Sequence, residues 1–410
     1  MKRLFTLLFL LIGLSLYAVE SVQQTNVDGY DRIYYVFTPS SFNANEQYSA
    51  MILLHPLGMS AETFMTMCNP QEISDKNNTV VVFPEALDEQ DSEIISAINA
   101  LSKADALPAG AGTEKVWGAG ARISLDDIKK MAGPLASMLS VMYKGIVAAG
   151  YAELNKNVDD IKFLNTVISE LQLNYHVGNT IYMAGASMGG AMTYRYAFTP
   201  NNKVSKIAVI NGFVSAATDT THALAKPVCI FHSINDEVVS YTGGLFNGPI
   251  AQDVQTIANK NGCYSYTSMA IPDTKADNIT IYKAEYSCNQ DQEVYFYLAD
   301  NASHYQILNK NDNDLDYVEE VEKFFFHKQS LDNKEIKQTT ITLYPNPATD
   351  ELYCSVEEGE YEILNLLGQR CMKGELAGGS LSISQLKEGE YIFILQTEAE
   401  IIRTRLVVKK

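Results

Sequence analysis

The chain has 410 residues, 46% of them hydrophobic, which is enough for a large core and too long for one average domain. Its net charge is -18 at pH 7, spread as a solvated surface, and this argues against nucleic acid as a partner. Six cysteines suit an exported protein without making a disulfide-dense scaffold, and none has zinc spacing.

Residues 1–18 read as a signal peptide. Lys2 and Arg3 supply the positive region, Leu4 to Leu16 a short apolar core, and Ala18 a small residue for cleavage. The apolar run is too short for a comfortable membrane span, and no later run is long enough, so the mature chain is expected to lack one. Residues 30–38 alternate as a half-exposed strand, while 49–55 and 79–83 are uniformly apolar runs that suit a sheet covered on both faces. Residues 88–156 are far longer than an ordinary strand-to-helix connection. There Ile128, Met131, Leu135, Met138, Leu139 and Met142 recur at helical spacing, interrupted by Gly133-Pro134. This insertion reads either as core packing, which is favoured, or as a methionine-rich cap.

A helix is expected over 159–173, with Ile161, Leu164, Val167, Ile168 and Leu171 on one face. An apolar strand over 180–183 then leads into Gly185-Ala186-Ser187-Met188-Gly189, followed by a helical pattern from Ala191. Strand, G-x-S-x-G and helix together form the context of a nucleophile elbow. The glycines relieve crowding around a serine with unfavourable backbone angles, and the helix start offers free N–H groups to an oxyanion. Strands are expected over 207–210 and 228–231, a helix over 249–259, a strand pair over 279–286 and 293–299, and a last helix over 315–327. Alternating strands and helices predict an α/β class with a mostly parallel central sheet.

Ser187 needs a base, and the chain offers His55, His176, His222, His232, His304 and His327. His304 follows the last strand in a polar loop, where reactive groups gather in an open α/β sheet. Asp236, in the turn after the strand over 228–231, is the expected orienting carboxylate, with Glu237 and Asp300 as competitors. The order Ser187, Asp236, His304 is that of α/β-hydrolases. The expected oxyanion donors are the backbone N–H of Met188 and that of Leu57, because Pro56 in His55-Pro56-Leu57 has no N–H. Cys263 and Cys288 flank a hairpin-like region and are the first candidate disulfide. Cys354 and Cys371 are a second, Cys229 reads as a buried thiol, and Cys68 has no evident partner.

Several stretches carry a likeness in order: Leu53-Leu54-His55, Val82-Phe83-Pro84-Glu85-Ala86-Leu87, residues 157–164, the elbow with Met192-Thr193-Tyr194-Arg195, His232-Ser233 with Asp236 and Val239, Asn261-Gly262-Cys263, and Cys288. On these the chain resembles the polyhydroxybutyrate depolymerase and feruloyl esterase family over most of residues 30–328. The resemblance implies a Ser187–Asp236–His304 triad. It also implies substrate-binding roles for His55 and for Trp117, in Trp117-Gly118-Ala119-Gly120. The chain departs from the family in its long 88–156 region and in Asp300-Asn301-Ala302-Ser303, which stands for a glycine-rich run.

Residues 329–340 are polar and read as a linker. Short strands and turns over 341–410 predict a small β-sandwich. Leu343-Tyr344-Pro345-Asn346-Pro347-Ala348-Thr349-Asp350, Asn365-Leu366-Leu367-Gly368-Gln369, Gly389-Glu390-Tyr391-Ile392 and Val408-Lys409-Lys410 resemble the type A sorting domain of type IX secretion substrates. That implies the type IX machinery as a partner, export to the surface or medium, and a catalytic domain over 19–328.

The expected function is a secreted serine carboxylic ester hydrolase acting on acetyl or feruloyl esters of plant polysaccharide. No metal or organic cofactor is required. The alternatives are a polyhydroxyalkanoate-type polyester depolymerase and, from another class, a non-catalytic surface binding protein on a hydrolase scaffold.

Overall fold

A computed structural model describes residues 20–103, 114–132, 143–221, 225–275, 277–289, 292–306, 314–326, 341–365, 370–397 and 401–410. The expected signal peptide and linker, His222, His327, Gly133-Pro134 and residues 366–369 of the sorting motif lie outside this set.

The chain opens with a hairpin, β1 (Glu20–Val27) and β2 (Tyr30–Phe37). Its two-residue turn, Asp28-Gly29, has φ of 53° and 86°, the left-handed pair that matches strand twist. β1 escapes a hydrophobicity reading because its apolar content is low and one face is only half-buried. β3 (Tyr48–Leu54) follows, then α1 (Ala61–Cys68), capped by Ser60 accepting from Thr63 N at 3.1 Å. α2 (Pro70–Asn77) starts on a proline, whose missing N–H costs nothing at that position. β4 (Thr79–Pro84) is wholly buried.

The insertion contributes α3 (Ser92–Lys103), β5 (Arg122–Ser124), α4 (Leu125–Ala132), α5 (Lys144–Ala149) and β6 (Tyr151–Glu153), with β5 and β6 paired as a small separate sheet. The main domain continues through α6 (Asp160–Asn174), β7 (Val177–Ala186), α7 (Met188–Ala197), β8 (Lys206–Ile210), β9 (Val228–Ser233), α8 (Ile250–Lys260), β10 (Ser265–Ala270), β11 (Thr280–Ser287), β12 (Val294–Asp300) and α9 (Tyr317–Phe326).

Ten strands form the main sheet in the order β1-β2-β4-β3-β7-β8-β9-β12-β11-β10. From β4 to β12 every neighbouring pair is parallel, and antiparallel hairpins close both edges. This is the α/β-hydrolase fold, with the elbow leaving the strand beside β3. Period-two alternation sends Ala50, Ile52, Leu54, Val80 and Val82 to one face, under α6 and α7. Met51, Leu53, Val81 and Phe83 go to the other, under α1 and α9. The described apolar residues of the insertion, among them Val116, Trp117, Ile123, Ile128 and Ile146, join the α6 and α7 face as core. Of the methionine-bearing series only Ile128 lies among the described side chains. No helix among the described residues is long and apolar enough to cross a membrane.

The C-terminal module has β13 (Leu343–Tyr344), β14 (Glu351–Cys354), β15 (Glu358–Asn365), β16 (Arg370–Ala377), β17 (Ser380–Ser382), β18 (Gly389–Gln396) and β19 (Ile401–Val408). These form one hydrogen-bonded sheet, β13-β14-β17-β16-β15-β18-β19, around its own apolar core. A bridge between Ala348 and Val408 brings its ends together, so the expected sandwich takes a curled, barrel-like form.

Cys263 and Cys288 are disulfide-bonded. Cys354 and Cys371 are not disulfide-bonded, which corrects the second expected pair: β17 lies between their strands, and Cys354 faces the core while Cys371 faces solvent. The Cys263–Cys288 link, at a sequence separation of 25, removes loop-closure entropy from the unfolded chain. Replacing both by serine should lower stability by about 3 kcal/mol. Denaturant unfolding of the oxidised chain and the double variant measures it, and equal midpoints would show that the link constrains little.

Candidate active site

The elbow is a strained turn between a buried strand and a helix. Ser187 sits at φ 54° and ψ -119°, a conformation L-residues avoid, and its N–H donates to Ile210 O at 2.8 Å. Gly189 permits the helix to meet the end of β3, since a Cβ there would overlap Leu54 O and stand 2.6 Å from His55 O. That approach sets the loop after β3 beside the elbow.

His304 Nε2 lies 3.0 Å from Ser187 Oγ, and His304 Nδ1 lies 2.7 Å from Asp236 Oδ2. All three residues are buried, and Ser187 retains 8% exposure. A carboxylate facing Nδ1 fixes the proton there and leaves the Nε2 lone pair for the Ser187 hydroxyl. The other oxygen of Asp236 accepts from Val238 N at 2.9 Å and Val239 N at 2.7 Å, which locks the carboxylate plane. The arrangement can transfer a proton from a hydroxyl nucleophile to an imidazole held in one tautomer.

Residues with no assigned role in the sequence reading hold this geometry. The His304 N–H donates to Glu237 Oε2 at 3.1 Å, and Asn211 Nδ2 donates to His304 O at 3.0 Å. Asn211 is fully buried with φ 46° and donates its own N–H to Phe231 O. His232 Nε2 lies 2.9 Å from Val239 O and so ties down the turn that carries Asp236. An asparagine at a strand end is too common to be singled out from sequence. Glu237 was visible only as a rival to Asp236, and its bond goes to the histidine backbone instead. His176 is exposed, ahead of β7 at the end opposite Ser187.

Met188 is the first residue of α7, so its N–H has no intrahelical acceptor. Among the described residues no protein acceptor is bonded to Leu57 N–H either, whereas Gly58 N and Met59 N bond to Lys115 O and Pro56 O.

His55 and Trp117 pack against each other. Both are fully buried with their polar atoms engaged. Trp117 Nε1 donates to His55 O at 2.9 Å, and its ring lies 5.0 Å from the imidazole. His55 Nε2 accepts from Ala86 N at 3.0 Å, so Nδ1 carries the proton and donates to Pro56 O at 2.8 Å. Trp117 is in turn held by Gly118, whose N–H donates to Asp160 Oδ2 at 2.6 Å and whose carbonyl accepts from Arg195. Asp160 pairs with the buried Arg32 at 2.6 Å. These residues therefore brace the loop that carries Leu57.

Residues 342–409 match the family described as "Secretion system C-terminal sorting domain". The C-terminal module is a secretion sorting domain. Over 118 residues, 28% of the chain, the sequence is 28% identical to a probable feruloyl esterase C from Aspergillus clavatus. The matched stretch spans 39% of that relative's length. Among solved structures, an acetyl xylan esterase from Aspergillus awamori aligns at a TM-score of 0.42 and 11% identity, covering 69% of this chain and 94% of the other. A ferulic acid esterase from Anaeromyces mucronatus aligns at 0.42 and 11%, covering 76% and 90%.

Burial pushes the imidazoles of His55 and His232 down to about 4 and the carboxyl of Asp253 up to about 6. For a histidine with a lowered folded pKa, the unfolded chain binds the extra proton, so stability is complete above about 6.5 and lost as pH falls to about 4. Each histidine contributes about 3 kcal/mol over that window; Asp253, whose folded form binds the extra proton, offsets about 3 kcal/mol between its ordinary value and about 6. The thermal midpoint should therefore fall on acidification through this window, and less steeply in His232→Asn, which removes one titrating group. Parallel slopes in the two proteins would overturn that assignment.

Proposed function

We propose that this chain is a secreted serine carboxylic ester hydrolase that removes acetyl or feruloyl groups from plant polysaccharide through an acyl-enzyme. One observation carries the reading: a strained, buried Ser187 hydroxyl lies 3.0 Å from an imidazole whose far nitrogen meets a buried carboxylate at 2.7 Å. The likeness to feruloyl and acetyl xylan esterases supports the choice of acyl group, and the sorting domain supports export by the type IX route.

In this mechanism His304 Nε2 takes the Ser187 hydroxyl proton as Oγ attacks the ester carbonyl carbon. The carbonyl oxygen becomes an alkoxide, which the Met188 and Leu57 N–H groups stabilise. The alkoxide re-forms its double bond, the ester C–O bond breaks, and the imidazolium returns its proton to the leaving alcohol. Water then gives a proton to the same nitrogen and attacks the acyl-enzyme carbonyl. Collapse releases the carboxylic acid and restores Ser187 with that proton. Asp236 stays ionised throughout, holding the tautomer and stabilising the imidazolium. Trp117, His55 and the Arg32–Asp160 pair act on this chemistry through the loop that presents Leu57.

Ser187→Ala and Asp236→Asn should each lower kcat by about 10⁴-fold on chromogenic, acetyl and feruloyl esters while circular dichroism and thermal midpoint stay near wild type. Hydrolysis of every ester at the same rate by wild type and Ser187→Ala would sink the serine mechanism. Equal polysaccharide binding by the two, with no turnover by either, would favour a non-catalytic binding protein instead.

A further inference from the structure

The Ser187–His304–Asp236 relay engages one residue of a turn whose next side chain has no part in it. Tyr305 is 67% exposed, and its ring stands edge-to-face against the His304 imidazole with centroids 5.3 Å apart. Exposed tyrosines are usually carried on loops free to move, but this turn is tied at four of its residues. Asn301 N–H donates to Asn235 Oδ1 at 3.0 Å, and His304 N–H donates to Glu237. Ser303 N–H donates to Gln306 Oε1 at 2.8 Å, and Gln306 N–H returns a bond to Ser303 Oγ at 3.3 Å. The first two bonds stitch the turn to residues 234–238, where Ile234 and Val238 are 41% and 36% exposed. An exposed aromatic ring thus stands on a tied turn against the proposed base, and the turn to which it is stitched exposes two aliphatic side chains of its own. Such a ring marks a contact surface, and its order is established before any ligand arrives.

The part of the substrate that meets it follows from the proton transfer. His304 Nε2 must reach the leaving oxygen, so that oxygen lies against the imidazole and the group it carries extends over the residues next to it. A sugar ring suits this surface. Its C–H face can lie on an aromatic plane, and its rim hydroxyls can stay in water with the tyrosine hydroxyl. We infer that Tyr305 is a stacking platform for the sugar ring of the leaving alcohol. The inference rests on the esterase reading above and adds the side of the ester that this surface selects.

The test holds the acyl group constant and changes only the alcohol. The full chain is assayed on methyl ferulate against a feruloylated arabinoxylan oligosaccharide, and on ethyl acetate against an acetylated xylo-oligosaccharide. Tyr305→Ala should lower the ratio of kcat/KM for the sugar ester over the simple ester about tenfold, mainly through KM, and Tyr305→Phe should restore it. A loss shared equally by both members of each pair would assign Tyr305 to support of His304, and an unchanged ratio would remove it from recognition. Either result overturns the platform while wild-type hydrolysis of the simple esters upholds the esterase reading. Failure of wild type on all four substrates would overturn both.

Discussion

The conformation of Ser187 is the constraint around which the rest is arranged. A non-glycine residue at φ 54° and ψ -119° costs on the order of 1–3 kcal/mol and persists only where its surroundings over-determine it. Here they do. Its N–H is bound to Ile210 O, the preceding strand is buried, and the following helix is seated against the end of β3 through Gly189. The strain aims a hydroxyl away from the sheet at the point where a helix begins. It also means that elements on either side of β7 must be correctly packed before the hydroxyl points anywhere useful.

The sheet then delivers the other two groups without long-range coincidence. β9 and β12 are parallel neighbours, with Ser233 opposite Ala299. The turns that leave them therefore start side by side, and Asp236 and His304 meet a few residues further on. β8 lies between β7 and β9, and its own exit residue, Asn211, spans the gap by holding the His304 carbonyl. Ser187, Asp236 and His304 thus follow the carboxyl ends of β7, β9 and β12, with β8 between the first two. A parallel register is what converts a separation of 117 residues between Ser187 and His304 into a hydrogen bond.

Most of this arrangement was legible in the sequence, for a physical reason. Buried parallel strands are uniform apolar runs, and an elbow needs glycine at fixed offsets, so β3, β4, β7, β8 and β9 and the Ser187 turn all announce themselves. Chain order and a polar loop sufficed to nominate Asp236 and His304. β1, β10 and β16 were missed because edge or half-exposed strands carry few apolar side chains. Roles that depend on which atom is spent were not legible either. Nothing in the sequence shows that the Trp117 indole N–H is spent on His55 O or that both nitrogens of His55 are engaged. Glu237 reads as a spare acid until it is seen to hold a backbone amide.

The insertion packs a chain of buried supports against the loop that carries Leu57. Gly118 closes against Val158 O and Asn155 O with no room for a Cβ, and Asp160 receives its N–H while facing the Arg32 guanidinium. Arg32 in turn lies over the Phe163 ring and donates to Glu85 O at 3.1 Å. Burial pushes the Asp160 carboxyl up, and Arg32 pulls it back. A buried pair of this kind contributes little net stability against an apolar replacement, yet removing one partner strands a charge. Its value here is positional. It fixes Gly118, and hence Trp117 and the His55 carbonyl, at the margin of the Leu57 loop. The insertion thus supports the Leu57 loop from one side while the elbow helix meets the end of β3 from the other, and both are anchored in the core.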